Sequence, residues 1–310
     1  MNKLLILIVI VTLSPQSFSA DRMCDKFDFL DCPDVFSGNR SSGASVPSQG
    51  ASLSSVPASI ANVDRTGVEV IKYVGSYDVN FVAGTGVVGS GFSTTNNEGT
   101  FFGNVPLESD AEYLVRRIRS DKFKSQKYNG VVALNLFGKS KRKKMFSASV
   151  GLVGKYNSKT SKPNGGIGTT LKFGPLSASY TRVRDDGRPD EDQIISYYSD
   201  TLSAGFKIAN LAVDWTYIQN NTPTRTYAKI FSASLFFKKI MFTYGRRTEE
   251  HGHPSIVFSN EFVTVTDPTD TSRTFGFLGL QYMIKKRFII GAYSNYYLNS
   301  DISLGFSAFF

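Results

Sequence analysis

Phe146-Ser-Ala-Ser-Val-Gly-Leu-Val-Gly-Lys-Tyr156 alternates with a period of two. Phe146, Ala148, Val150, Leu152, Gly154 and Tyr156 fall on one side, and Ser147, Ser149, Gly151, Val153 and Lys155 on the other. Successive side chains of a strand point to opposite faces, so this stretch reads as a strand with one greasy face and one small, polar face. The pattern recurs outward along the chain. Leu202, Ala204, Phe206 and Ile208 oppose Thr201, Ser203, Gly205 and Lys207, and Leu211, Val213, Trp215 and Tyr217 oppose Ala212, Asp214 and Thr216. Similar segments cover about 128–138, 164–173, 176–185, 226–237, 239–247, 272–285, 287–299 and 302–310, which makes 11 strands beyond Tyr128.

A soluble β-sandwich also alternates, but three features favour a membrane wall. The segments run to about nine to 13 residues, the length that crosses a bilayer at a tilt. Their connections alternate between short and long. The chain ends on Phe310, preceded at every second position by Ala308, Phe306, Leu304 and Ile302. This ending resembles the C-terminal recognition signal of bacterial outer-membrane barrels, which implies that Ile302, Leu304, Phe306 and Phe310 address the barrel-assembly machinery. The predicted fold is all-β, a transmembrane antiparallel up-and-down barrel. Single-chain bacterial barrels have an even strand count, so 11 late strands require an odd number before them and a total of 12 or 14. Gly67–Tyr73 supplies one; 78–85 and 86–102 supply either two strands or a single bent one.

The N-terminal third breaks the pattern. Residues 1–20 carry Lys3, an apolar run from Leu4 to Leu13 and small residues to Ala20, the layout of a signal peptide. The run is too short to span a bilayer, and no later stretch approaches the roughly 20 apolar residues of a transmembrane helix. Residues 21–65 form an irregular segment whose Ser-, Gly-, Pro- and Ala-rich part, 33–64, is a candidate lumen plug, and 66–310 form the barrel. In an exported chain, Cys24 and Cys32 can close a small disulfide loop. Ser109 and Glu112 have capping-box spacing and precede Leu114, Val115 and Ile118 on one helical face, so a short amphipathic helix is predicted over about 108–120.

With the C-terminus in the periplasm, the turns at 138–144, 174–175, 209–210, 238–239 and 285–287 become periplasmic. The connections at 105–127, 157–163, 186–199, 221–225 and 248–271 become extracellular. The formal charge of +9 gathers in the periplasmic turns, as at Lys238-Lys239 and Lys285–Arg287, where anionic headgroups attract it, so no nucleic-acid-binding face is implied. Outer-membrane lipid and lipopolysaccharide are the expected surroundings. Inward positions read mainly as Ser, Thr, Gly and Ala with Lys155, Lys172, Lys207, Asp214 and Arg247 interspersed, which leaves room in a barrel of this size.

The chain also resembles the FadL-type transporters of long-chain fatty acids and other hydrophobic molecules. The resemblance lies in Pro57-Ala58-Ser59-Ile60, Gly67-Val-Glu-Val70, Gly86-Val-Val-Gly-Ser-Gly-Phe92 and the helical outer segment near 109–120, about 60 residues in all. It implies a 14-stranded barrel, an N-terminal hatch and an apolar ligand gathered at outer loops; the longer hatch and aromatic opening of that family are lacking here. Leu114, Val115 and Ile118 would then shield the ligand, or pack on the barrel rim, and Arg116 could attract its carboxylate. Passive transport of small hydrophobic molecules is the first expectation; a porin-like channel for polar solutes and a structural or adhesive barrel are the alternatives. An enzyme is not expected. The two histidines, His251 and His253, stand beside Glu249 and Glu250 in one outer connection without a third histidine to complete a metal site or an orienting group for Ser255. No cofactor motif is present.

Overall fold

The computed structural model describes residues 43–45, 56–73, 76–95, 127–137, 146–158, 161–190, 193–221, 226–258, 263–295 and 302–310. Fourteen strands close into one antiparallel barrel in which each strand pairs with its sequence neighbours. They are β1 (Thr66–Tyr73), β2 (Ser76–Gly84), β3 (Val88–Thr95), β4 (Lys127–Asn135), β5 (Phe146–Asn157), β6 (Lys162–Phe173) and β7 (Leu176–Asp190). The second half comprises β8 (Gln193–Ile208), β9 (Leu211–Asn220), β10 (Thr226–Phe237), β11 (Ile240–Phe258), β12 (Val263–Ile284), β13 (Phe288–Asn295) and β14 (Ile302–Phe309). The total of 12 or 14 thus resolves to 14: three strands precede the 11 late ones, because the glycine-rich region is two strands. A single bent strand would have left an odd total of 13. Gly86 takes φ of 78° between β2 and β3, a left-handed conformation that reverses the chain where a bent single strand was the other reading.

Alternation decides what faces where. Along β5, Leu152 is 64% exposed while the neighbouring Val153 is 4% exposed. Val132, Leu134, Ile167, Leu171, Phe173, Leu202, Phe231, Leu235, Phe242, Leu280, Leu304 and Phe306 belong to the same exposed set. A belt of large apolar side chains therefore surrounds a wall whose backbone is hydrogen-bonded all the way round, the condition that hydrocarbon imposes. Gly130, Gly154 and Gly165 lie side by side in register on this outer face. Phe92, opposite Gly130, and Tyr128 and Tyr156 beside it form a row of rings with centroids 6.2 and 6.3 Å apart. These rings flank the weak patch that three glycines would leave.

Closure is made by β1 and β14, paired from Gly67 with Phe309 to Lys72 with Leu304. Thr66 and Phe310 extend the ladder by exchanging backbone hydrogen bonds of 3.4 and 2.8 Å. Both ends of the barrel sequence thus lie at the rim that carries the tight turns, which is the periplasmic one. Ala209, Lys238 and Lys285 turn the chain there at positive φ of 47°, 41° and 43°. The connections expected at 186–199 and 248–271 are not loops for most of their length. β7 and β8 pair out to Asp190 and Gln193, and β11 and β12 out to Phe258 and Val263. The ladder continues past the apolar belt, and the 3.0 Å Thr248–Thr274 hydroxyl bond is one tie there. Likewise only a short turn separates β5 from β6, in place of the longer connection expected at 157–163.

Candidate inner conduit

The inner face is where the alternation places its second set of side chains, and the N-terminal segment rests on part of it. Pro57–Asn62 forms a 3-10 helix with Pro57, Ala58, Ser59, Ile60 and Ala61 buried. It lies against β2 to β6, and Ile60, Ala61 and Val63 pack with Val82, Val131, Ala133, Val153 and Val183. Glycine makes the approach close enough. A Cβ on Gly151 would stand 2.8 Å from the Ala58 nitrogen, and one on Gly168 would stand 2.6 Å from Pro57 Cγ. Asn135 Nδ2 donates to Asn62 Oδ1 at 3.0 Å and fastens the end of the helix to β4.

Residues 43–45 meet the other side of the inner wall. The Ser45 backbone nitrogen donates to Asp214 Oδ1 at 2.8 Å, its hydroxyl donates to Asp214 Oδ2 at 2.6 Å, and the Ala44 nitrogen donates to Ser203 Oγ at 2.9 Å. Asp214 is 3% exposed, so its carboxylate is held by these charge-assisted bonds instead of water. The two attachments stand on different arcs of the wall, β8–β9 for one and β2–β6 for the other.

Elsewhere the inner face carries both hydroxyl and apolar groups. A hydroxyl belt crosses four strands in register, from Thr170 to Ser179 to Ser203 to Thr216. Ser232 opposite Asp214 and the 3.0 Å Ser234–Thr243 bond carry it onward. Apolar residues stand beside this belt and in register with it. Val131 faces Val153 across β4 and β5, Gly166 makes room for Val183, and Ile218, Ala228, Ile230 and Phe277 form a buried cluster on β9, β10 and β12. Gly245 lies directly opposite Phe277, and a Cβ there would collide with its ring. Below the belt, Phe236, Met241, Met283 and Ile289 are again buried and apolar. The inward set is therefore richer in large apolar residues than the expected Ser, Thr, Gly and Ala. These residues sit in the inward phase of strands whose outer phase is equally apolar, so alternation of polarity fades there while alternation of direction persists.

The charged residues expected on the inner face are there. Lys155 is 8% and Arg247 5% exposed; Lys155 is two residues from Val153 on the same face, and Arg247 is opposite Ile230. Lys207 stands 4.7 Å over the Phe236 ring, a cation–π contact. Sequence reading missed Glu69, which is fully buried between Asn80 Nδ2 at 2.9 Å and Ser307 Oγ at 3.1 Å, beside the barrel seam. Its place between Val68 and Val70 gives the inward phase, and this was the available signal. Gln281 Nε2 donates to the Tyr293 hydroxyl farther round. Leu304, Phe306 and Phe310 are exposed on or beside β14, whose first residue is Ile302. The expected signal peptide, Cys24 and Cys32, and the helix with Leu114, Val115, Arg116 and Ile118 lie outside the described residues. His251 and His253 belong to β11.

No protein-family model and no curated protein sequence matches the chain. Among solved structures it is similar to "CymD monoaromatic hydrocarbon channel", at 10% identity and TM-score 0.46, over 87% of this chain and 94% of that one. It is also similar to "KdgM porin", at 10% identity and TM-score 0.37, over 79% and 98% of the two chains. A third is "OmpT (in-vitro folded), an outer membrane protein of Vibrio cholerae", at 8% identity and TM-score 0.36, over 79% and 95%. The fold assignment itself stands on the closed ladder and the apolar belt. With that wall, the chain is a multi-pass β-barrel of the bacterial outer membrane.

Proposed function

We propose that the chain is a passive channel for small hydrophobic molecules such as fatty acids, in which the segment 21–65 acts as a resident plug. The observation that carries this is the apolar set on the inner face between β4 and β12, centred on Ile218, Ile230 and Phe277. A water-filled pore for polar solutes has no need of buried Ile and Phe in its lining, whereas a greasy solute gains about 25 cal/mol for each Å² it removes from water against such residues. Lys155 and Arg247 next to these residues give a carboxylate headgroup a positive neighbour. The resemblance to FadL-type transporters in 57–60, 67–70 and 86–92 supports the same reading, as does the lodging of Pro57–Asn62 on the inner wall.

The test is uptake of a long-chain fatty acid into proteoliposomes. Ile230→Asp with Phe277→Ser is expected to lower uptake about ten-fold, and deletion of 21–64 to change it in a substrate-dependent way. Uptake indifferent to both changes overturns the proposal. The hydroxyl belt favours a second reading, a porin-like conduit for small polar solutes. A steady, large planar-bilayer conductance of the intact chain selects it over the first.

A further inference from the structure

Among the side chains described, the outward face carries its charges mainly on one side, Lys72 of β1 being the exception. On β2 to β6 the described outward residues are apolar, aromatic, glycine or hydroxyl, from Val79 and Phe92 to Ile167 and Phe173. On β7 to β11 the side chains described on the same face include Arg182, Arg184, Asp200, Lys229 and Arg246, four positive charges against one negative. Each lies extracellular to the apolar residues of its own strand. Leu176 and Tyr180 precede Arg182, Leu235 and Phe231 precede Lys229, and Phe242 and Tyr244 precede Arg246, counted from the periplasmic turns.

A charged side chain on a lipid-facing strand is costly at mid-bilayer and tolerated near the interface, so these positions mark the outer headgroup level. Aromatic rings mark it too. Trp215 and Tyr217 stack with centroids 6.2 Å apart, and Tyr217 and Tyr227 with centroids 6.0 Å apart, beside Lys229. Within the cluster, Arg182 is steadied by Asp200 at 3.5 Å and by the Tyr198 ring at 4.8 Å, and Tyr180 donates to Asp200 at 2.7 Å. Asp200 thus positions one guanidinium. Arg184, Lys229 and Arg246 are exposed on the same face.

We infer that this face binds the phosphorylated headgroup of an outer-leaflet glycolipid. Lys229 and Arg246 are diagonal neighbours across β10 and β11, so their backbones are roughly 7–8 Å apart, close enough to share one phosphate. Arg182 and Arg184 are two residues apart on β7; across three strands at about 4.8 Å each, and with Lys229 two residues along β10 from the partner in register with Arg182, the two pairs stand roughly 16 Å or more apart. Each basic pair can take a phosphate of a saccharide headgroup, with the acyl chains running down the apolar belt below. Arginine provides the planar fork that grips phosphate through paired hydrogen bonds, and both pairs contain it.

The experiment measures binding of phosphorylated lipid A and of its dephosphorylated form to the full chain in detergent micelles. Arg184→Gln with Lys229→Gln and Arg246→Gln is expected to weaken binding of the phosphorylated form at least ten-fold. Lys238→Gln with Lys239→Gln, at the opposite rim, is expected to leave it unchanged. The single variant Arg184→Gln, expected to lose about three-fold, covers the case in which the triple variant does not fold. Equal binding of both lipid forms overturns the inference. So does an equal loss from the two rims, or a folded Arg184→Gln that binds like the unaltered chain.

Discussion

The walls from β2 to β6 and from β8 to β12 follow the same alternation and have opposite inner surfaces. On the first arc, Gly89, Gly151 and Gly168 leave gaps between modest side chains such as Ala133 and Val153, and Pro57–Asn62 settles into them with its backbone close to the wall. On the second, Ile218, Ile230, Phe236 and Phe277 project inward, and residues 43–45 attach to it through Asp214 and Ser203. Side-chain volume on the wall therefore decides whether the inner chain is received as a packed helix or tied by hydrogen bonds. Strand propensity decides neither.

Truncating on the bulky arc has the largest expected effect. Phe277→Ala removes a fully buried ring and is expected to cost roughly 3–5 kcal/mol, read as a lower urea midpoint for unfolding from lipid vesicles. Little change would mean that Phe277 is not packed. Adding volume on the bare arc comes next. Gly151→Val is expected to cost about 1–3 kcal/mol and to push Pro57–Asn62 off the wall, so that a cysteine at the buried Ser59 (Ser59→Cys) reacts faster with a maleimide. An unaltered labelling rate would show that the glycines do not matter for the approach. A smaller effect is expected from the tie. Asp214→Asn weakens two charge-assisted bonds by about 1 kcal/mol, and Ala44→Cys should then label several-fold faster. The smallest lies outside both arcs: Ala209→Gly at φ of 47° is expected to raise stability by about 0.5–1 kcal/mol in the same urea assay.

The second arc also shows where sequence reading succeeds and where it stops. The direction of Ser203, Lys207, Asp214 and Thr216 was legible because their strands are apolar outside and polar inside, and the 11 late strands followed from the same signal. Phe236, Met241, Phe277 and Met283 defeated it, since a strand apolar on both faces has no polarity to count. The reach of β11 and β12 was missed for the opposite reason. From Thr248 to Ser255 both faces are polar, and a ladder without alternating polarity looks like a loop. Local chemistry also could not disclose that Ser45 meets Asp214, because 169 residues separate them.

The bond between Ser307 and Glu69 joins residues 238 positions apart. That separation sets the order of assembly. Until the last strand has been made, the first one keeps an open edge, and an open edge in a greasy chain invites pairing with strangers. Joining such distant segments is also the slowest kind of contact to form. The nascent protein must therefore be chaperoned with both margins guarded, and the aromatic tail that arrives last is the piece that ends the danger.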